Sequence, residues 1–138
     1  MNSEYSIKLD GVLIGTTEFE KHDAPMGVVL GKINFKDKEI GYNFIKDYCQ
    51  KNNLELAFDE PDDKVISTMT MENLKVTNNN ETEIKGVGNQ ITGMDSDEYE
   101  ISIFGIAYPF YEEEFPHHVR DYENMFNSDG KNDAQQYL

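Results

Sequence analysis

A chain of 138 residues with 38% hydrophobic residues, including 8 Tyr and 8 Phe, is long and apolar enough to fold as a soluble globular protein rather than remain disordered. Its 27 acidic and 12 basic side chains give a net charge of -15, which argues against binding to nucleic acid or to an anionic membrane. We expect residues 1–127 to form one domain and residues 128–138, which are polar and aperiodic, to form a disordered tail.

The N-terminal region and the cysteine content predict a cytoplasmic protein. Lys8 and Asp10 interrupt the only apolar stretch near the N-terminus, so that stretch has the features of neither a secretory signal nor a membrane span. Cys49 is the only cysteine, which excludes an internal disulfide and a cysteine-based zinc site.

The first predicted element is a β-hairpin. Residues 5–9 and 12–16 alternate apolar and polar side chains around Asp10-Gly11, a pair typical of a two-residue turn with positive φ angles. Pairing Leu9 with Val12 places Ile7 opposite Ile14. The side chains that we expect to be buried together are Ile7, Leu9, Val12 and Ile14.

The next segments predict a loop, a strand and a helix. Residues 20–27 contain Ala24-Pro25 and Met26-Gly27 and read as a loop, and residues 28–35 as a third strand. From residue 39 to residue 52 apolar side chains recur at spacings of three and four, which predicts an amphipathic helix capped by Asp37. The helix residues expected to face the sheet are Phe44, Ile45 and Tyr48.

The second half predicts a β-meander followed by a short helix. The predicted strands are residues 54–58, 65–71, 74–77, 83–92 and 98–106. In the last strand Tyr99, Ile101 and Ile103 should face the core. Pro116 suits the first turn of a helix whose apolar face carries Val119, Tyr122 and Phe126.

The predicted fold class is therefore α+β. An antiparallel β-sheet, made of the N-terminal hairpin and the meander, packs against one amphipathic helix, and a short C-terminal helix follows. No internal repeat or interdomain linker interrupts this pattern.

Acidic side chains are concentrated in residues 59–138, which hold 18 carboxylates and 5 basic side chains. Most of them fall into three groups, each beside aromatic residues, and aromatic anchors surrounded by charge are typical of protein-binding surfaces. The candidate partner-binding residues are Asp59, Glu60, Asp62 and Asp63 in the first group, Glu98 and Glu100 in the second, and Tyr108, Phe110, Tyr111, Glu112, Glu113 and Glu114 in the third. The alternative interpretation is that these groups are solvated turns beside core aromatics.

No motif in the sequence indicates a reaction, a metal or a cofactor. His117 and His118 are adjacent and would point about 100° apart on a helix, so they are poorly placed to share a metal. Glu100 stands where a calcium-binding loop that begins at Asp95 needs glycine. Cys49 lies on the apolar face of its helix, where thiols are usually inert. We therefore expect no catalytic residue, no metal and no cofactor.

The charge favours a protein partner that is itself basic. Bacteria make small acidic immunity-type inhibitors against basic toxins or nucleases, and this class is the leading hypothesis for the chain. A nucleic-acid mimic that inhibits a DNA-binding protein is a related alternative, because carboxylates can stand where phosphates would. A small enzyme or ligand-binding domain is an alternative of a different class.

Overall fold

Two antiparallel sheets and a ten-residue helix share one hydrophobic core in a computed structural model, which describes residues 3–125. The α+β class is as predicted. In chain order the elements are β1 (Tyr5–Leu9), β2 (Val12–Thr17), β3 (Lys21–Asp23), β4 (Val28–Lys32), β5 (Asn34–Phe35), α1 (Tyr42–Lys51), β6 (Leu56–Glu60), β7 (Val65–Thr68), β8 (Leu74–Thr77), β9 (Gly88–Met94), β10 (Tyr99–Phe104) and α2 (Phe110–Glu114).

The strands divide into two sheets. The four-stranded sheet has the order β5-β2-β1-β8, and the six-stranded sheet has the order β3-β4-β10-β9-β7-β6. The predicted meander is therefore interrupted, because β8 leaves its neighbours in sequence and pairs with β1. This pairing places Leu74 opposite Leu9 and Val76 opposite Ile7, and all four side chains are buried.

The N-terminal hairpin forms around the predicted turn and keeps the predicted pairing of Leu9 with Val12, but its register changes between Lys8 and Ile7. Asp10 and Gly11 have φ angles of 52° and 80°, as a primed turn requires. A β-bulge in β2 shifts the pairing, so that Ile7 lies opposite Gly15 rather than Ile14. Val12 pairs with Leu9 as predicted but is 61% exposed, so the prediction that it is buried with Ile7 and Ile14 is wrong.

Residues 20–35 are more ordered than the sequence indicates. The predicted loop contains β3 and a single 3-10 turn over Ala24–Met26. The predicted third strand is two strands, because the chain leaves β4 at Ile33 and enters the other sheet as β5. Ile33 itself is buried, and its N–H donates to Tyr99 O at 2.8 Å.

Helix α1 is shorter than predicted at its start because its first N–H is capped from another part of the chain. The Tyr42 N–H donates to Asp95 Oδ1 at 2.9 Å, and Gly41 has no side chain to obstruct that carboxylate. Asp37 instead accepts the Glu39 N–H, so the predicted Asp37 cap is wrong. The helix ends as expected, with Asn53 in the left-handed region at φ 54°.

The buried face of α1 also differs from the prediction. Tyr42, Ile45 and Cys49 are buried at helical spacing, and Tyr48 is partly buried. Phe44 is 38% exposed, because it lies about 100° around the helix from Ile45.

The C-terminal part of the described chain contains two short helical segments. The sequence pattern does not predict helix α2, which contains Glu112, Glu113 and Glu114. Residues 116–125 are helical, as expected from Pro116 onward. Phe126 and the predicted tail of residues 128–138 lie outside the described residues.

Two neighbouring positions on α1 test this packing. Ile45→Ala should lower the free energy of unfolding by about 2–5 kcal/mol, because it leaves a cavity in the core. Phe44→Ala should cost about 1 kcal/mol or less, because that ring is already partly hydrated. Urea unfolding followed by circular dichroism measures both values. Equal losses in the two variants would contradict the observed helix orientation.

Candidate functional site

The first two acidic groups lie side by side at one end of the six-stranded sheet. Val65 at the start of β7 pairs with Met94 at the end of β9, so the turns 60–64 and 95–98 are neighbours. The Asp95 N–H donates to Lys64 O at 3.3 Å across them. These two turns, hereafter the acidic end, carry six carboxylates: Glu60, Asp62, Asp63, Asp95, Asp97 and Glu98.

Three of the predicted partner-binding carboxylates are already paired with lysines of the same chain. Their ion pairs are Asp59 with Lys46 at 3.0 Å, Glu98 with Lys32 at 3.7 Å and Glu100 with Lys21 at 2.9 Å. Asp59 also accepts a hydrogen bond from the Tyr42 hydroxyl, and this bond is the main cause that lowers the pKa of Asp59, with Lys46 adding to it. These carboxylates therefore hold the chain's own elements together.

The third acidic group lies at the opposite end of β10, separated from the acidic end by roughly 17–20 Å of strand. Glu114 serves the fold, because it accepts hydrogen bonds from the Tyr5 hydroxyl at 3.0 Å and from Asn78 Nδ2 at 2.9 Å. Glu112 and Glu113 are exposed, and Phe110 is partly buried. The structure thus divides the predicted surface into two separate parts.

Tyr111 lies in the core, which corrects its prediction as a surface anchor. Its exposed fraction is 0%, and its hydroxyl donates to Val28 O at 2.9 Å. Burial raises the pKa of this phenol above its usual range. Tyr108, by contrast, is 47% exposed and is the most exposed of the three predicted aromatic residues of this group.

Tyr108 forms part of a cleft of about 390 Å³ between three segments of the chain. The 3-10 turn contributes one wall, Tyr108 and α2 a second, and one face of the 116–125 helix a third. The residues that line this tyrosine cleft are Ala24, Pro25, Tyr108, Glu112, Val119, Tyr122 and Glu123.

The ring of Tyr108 is held in a fixed position. Its hydroxyl donates to Ala24 O at 2.9 Å, and its ring stacks on Tyr111 with centroids 5.3 Å apart. Partial burial raises the pKa of Tyr108, and the nearby carboxylates of Glu112 and Glu123 raise it further. The cleft therefore combines an oriented aromatic ring with a negative potential.

Two members of the cleft, Tyr108 and Glu112, are among the residues predicted to bind a partner. The periodicity of the sequence predicts Val119 and Tyr122 on the apolar face of a helix, and no pattern selects Glu123. The spacing of these three residues, i, i+3 and i+4, shows that they share a helix face. Their position opposite Tyr108 depends on the tertiary packing of the 116–125 segment.

That segment is fixed by His118, which is 2% exposed. Its ring stacks on Phe115 at 5.0 Å and on His22 at 4.4 Å. Nε2 lies 3.0 Å from Phe19 O, which can only accept, so Nε2 carries the proton. Nδ1 then accepts from the Tyr111 hydroxyl 3.4 Å away, a proton shared with Val28 O.

Three comparisons with known proteins found no matching family model, no similar curated protein and no similar solved structure. Within residues 3–125, no group of three or more His, Cys, Asp and Glu side chains is arranged to hold a metal ion. No helix in the same part of the chain is both long and apolar enough to span a membrane.

His118 should make the protein less stable in mild acid. Burial, reinforced by the neighbouring His117 and His22, lowers the pKa of His118 to about 4, so the folded protein keeps this ring neutral. Between pH 6.5 and 4 the unfolded chain binds a proton that the folded chain does not. Stability is therefore lost as the pH falls, by up to about 3 kcal/mol from this group.

The variant His118→Gln keeps a donor for Phe19 O but does not titrate. Urea unfolding at pH 7.5 and at pH 5 should show a smaller loss of stability in this variant than in the wild type. His117→Gln, at the adjacent exposed position, should keep most of the wild-type loss. Identical pH dependence in His118→Gln and the wild type would show that another group is responsible.

Proposed function

We propose that the chain is a small acidic inhibitor that binds a basic protein, in the manner of an immunity protein against a toxin or nuclease. The tyrosine cleft is the observation that carries this proposal. An exposed, oriented aromatic ring next to exposed carboxylates is the combination that anchors protein partners. A basic partner supplies the positive charge that the cleft lacks.

The acidic end provides the negative charge that attracts the same partner. Asp62 and Asp63 are exposed, and neither forms an ion pair within the described residues. Clustered carboxylates of this kind attract a basic surface that comes within the screening length of about 8 Å at physiological salt. Steering by the acidic end raises the association rate, and contact at the cleft slows dissociation.

The alternative of a nucleic-acid mimic has less support from the geometry. A mimic needs a continuous row of free carboxylates in place of phosphates. Asp59, Glu98 and Glu100 are paired with lysines, and the other predicted partner-binding carboxylates lie in two separate groups, at the acidic end and at the opposite end of β10. An aromatic cleft also has no counterpart in a phosphate backbone.

Partner capture followed by kinetics tests the proposal. The immobilised full chain is exposed to lysate of the source cells and washed at low and then high salt, and the bound proteins are identified by mass spectrometry. We expect a basic partner whose purified activity is inhibited by the chain. Its association rate should fall steeply as ionic strength rises.

Two variants separate steering from anchoring in that complex. Asp62→Asn/Asp63→Asn should lower the association rate and reduce its salt dependence, with little change in dissociation. Tyr108→Leu should raise the dissociation rate, at a cost of about 2 kcal/mol. Circular dichroism and urea unfolding verify that both variants are folded. If binding is insensitive to salt and to both variants, the acidic surface only solubilises the chain, and the enzyme or ligand-binding hypothesis becomes the better one.

A further inference from the structure

We infer that the tyrosine cleft is a subsite for an arginine side chain of the bound protein. This inference rests on the proposed function and names the chemical group that the partner presents. It follows from the aromatic surface of the cleft, from the charge at its rim and from the fixed position of its walls.

The aromatic surface comes from two tyrosines on different segments. Tyr111 covers one face of the Tyr108 ring, and 47% of Tyr108 is exposed, so the opposite side of the ring is available to the cleft. Tyr122 lines the cleft from the 116–125 helix, next to Val119 one turn before it. Such a surface accepts a flat, weakly hydrated group better than a strongly hydrated one.

The charge in the cleft comes from Glu112 and Glu123, which approach from α2 and from the 116–125 helix. Both are exposed, and neither forms an ion pair within the described residues. The chain's single arginine, Arg120, belongs to the same helix but does not line the cleft. No lysine or arginine of the described residues lines the cleft, so a cation that binds there comes from outside that part of the chain.

Arginine satisfies both requirements better than lysine does. A planar guanidinium can stack on a tyrosine ring and donate to carboxylates through the fork of its N–H groups. The lysine ammonium is a compact charge that keeps its hydration more strongly and has no flat face to stack. The two carboxylates belong to separate segments that line the same cleft, and we expect both to accept from one guanidinium bound there.

The cleft needs little rearrangement to receive this group. The hydrogen bond from Tyr108 to Ala24 O and the stacking on Tyr111 fix the ring before any partner arrives. Ala24 O also accepts the Gly27 N–H at 3.0 Å, which fixes the 3-10 turn in place. A preformed wall lowers the entropic cost of binding.

The test is a titration of the full isotope-labelled chain, followed by NMR, with three short peptides. The first is acetyl-Gly-Arg-Gly-amide, the second has lysine in place of arginine, and the third has citrulline, which keeps the shape of arginine without its charge. We expect the arginine peptide to shift amide signals of residues 24–25, 108–112 and 119–123. The lysine peptide should bind about 3-fold or more weakly and the citrulline peptide about 10-fold or more weakly.

Two double variants provide a matched control, because each removes two negative charges. Glu112→Gln/Glu123→Gln should weaken binding of the arginine peptide about 10-fold or more, whereas Asp62→Asn/Asp63→Asn, at the acidic end, should change it less than about twofold. Free arginine should produce the same pattern of shifts, since the side chain is the recognised group.

Three results would overturn the inference: equal binding of the citrulline peptide, equal weakening in both double variants, or signal shifts centred on the acidic end. These results would leave the proposed function intact if capture still yields a basic partner. Failure of the capture experiment together with selective binding of the arginine peptide would instead reject the inhibitor and retain the cleft as an arginine subsite.

Discussion

A buried aromatic cluster joins the two sheets to the C-terminal segments, and the rest of the arrangement depends on it. Tyr5 on β1 packs against Phe19 and Phe115 with ring centroids 5.0 and 5.6 Å apart. His118 continues the cluster through its stacking on Phe115 and its hydrogen bond to Phe19 O. Because this imidazole is buried in an apolar environment, it must stay neutral for the cluster to remain intact.

The cluster also determines where the tyrosine cleft forms. Tyr111 lies at its edge, where its hydroxyl reaches Val28 O and its ring supports Tyr108. The two neighbouring tyrosines therefore have different roles: one is a core residue, and the other presents an oriented ring at the surface. His118 positions the helix that supplies the opposite wall of the cleft. The aromatic contacts that pack the core therefore also position the walls of the proposed binding surface.

A carboxylate that is already bound to a group of the same chain is less able to attract a partner than a free one. Asp95 is used to cap α1 and to accept the Tyr99 hydroxyl, and Glu114 is used to hold Tyr5 and Asn78. A carboxylate that already has such partners gains less from an external cation, because the new contact must compete with the existing one. The net charge alone overestimates the surface that is available for binding.

The sequence alone predicts the α+β class, the Asp10-Gly11 turn and the inward face of β10, because these depend on composition and on the periodicity of neighbouring residues. It also located Tyr108 and Glu112 beside one another. Tertiary packing sets the bulge in β2, the exposure of Val12, the partner strand of β8 and the burial of Tyr111. It also forms the cleft, since Tyr108 and Ala24 are 84 residues apart in the chain and meet only through packing. Local pattern records which residues are apolar or charged, whereas contacts between distant segments determine which of them face a partner.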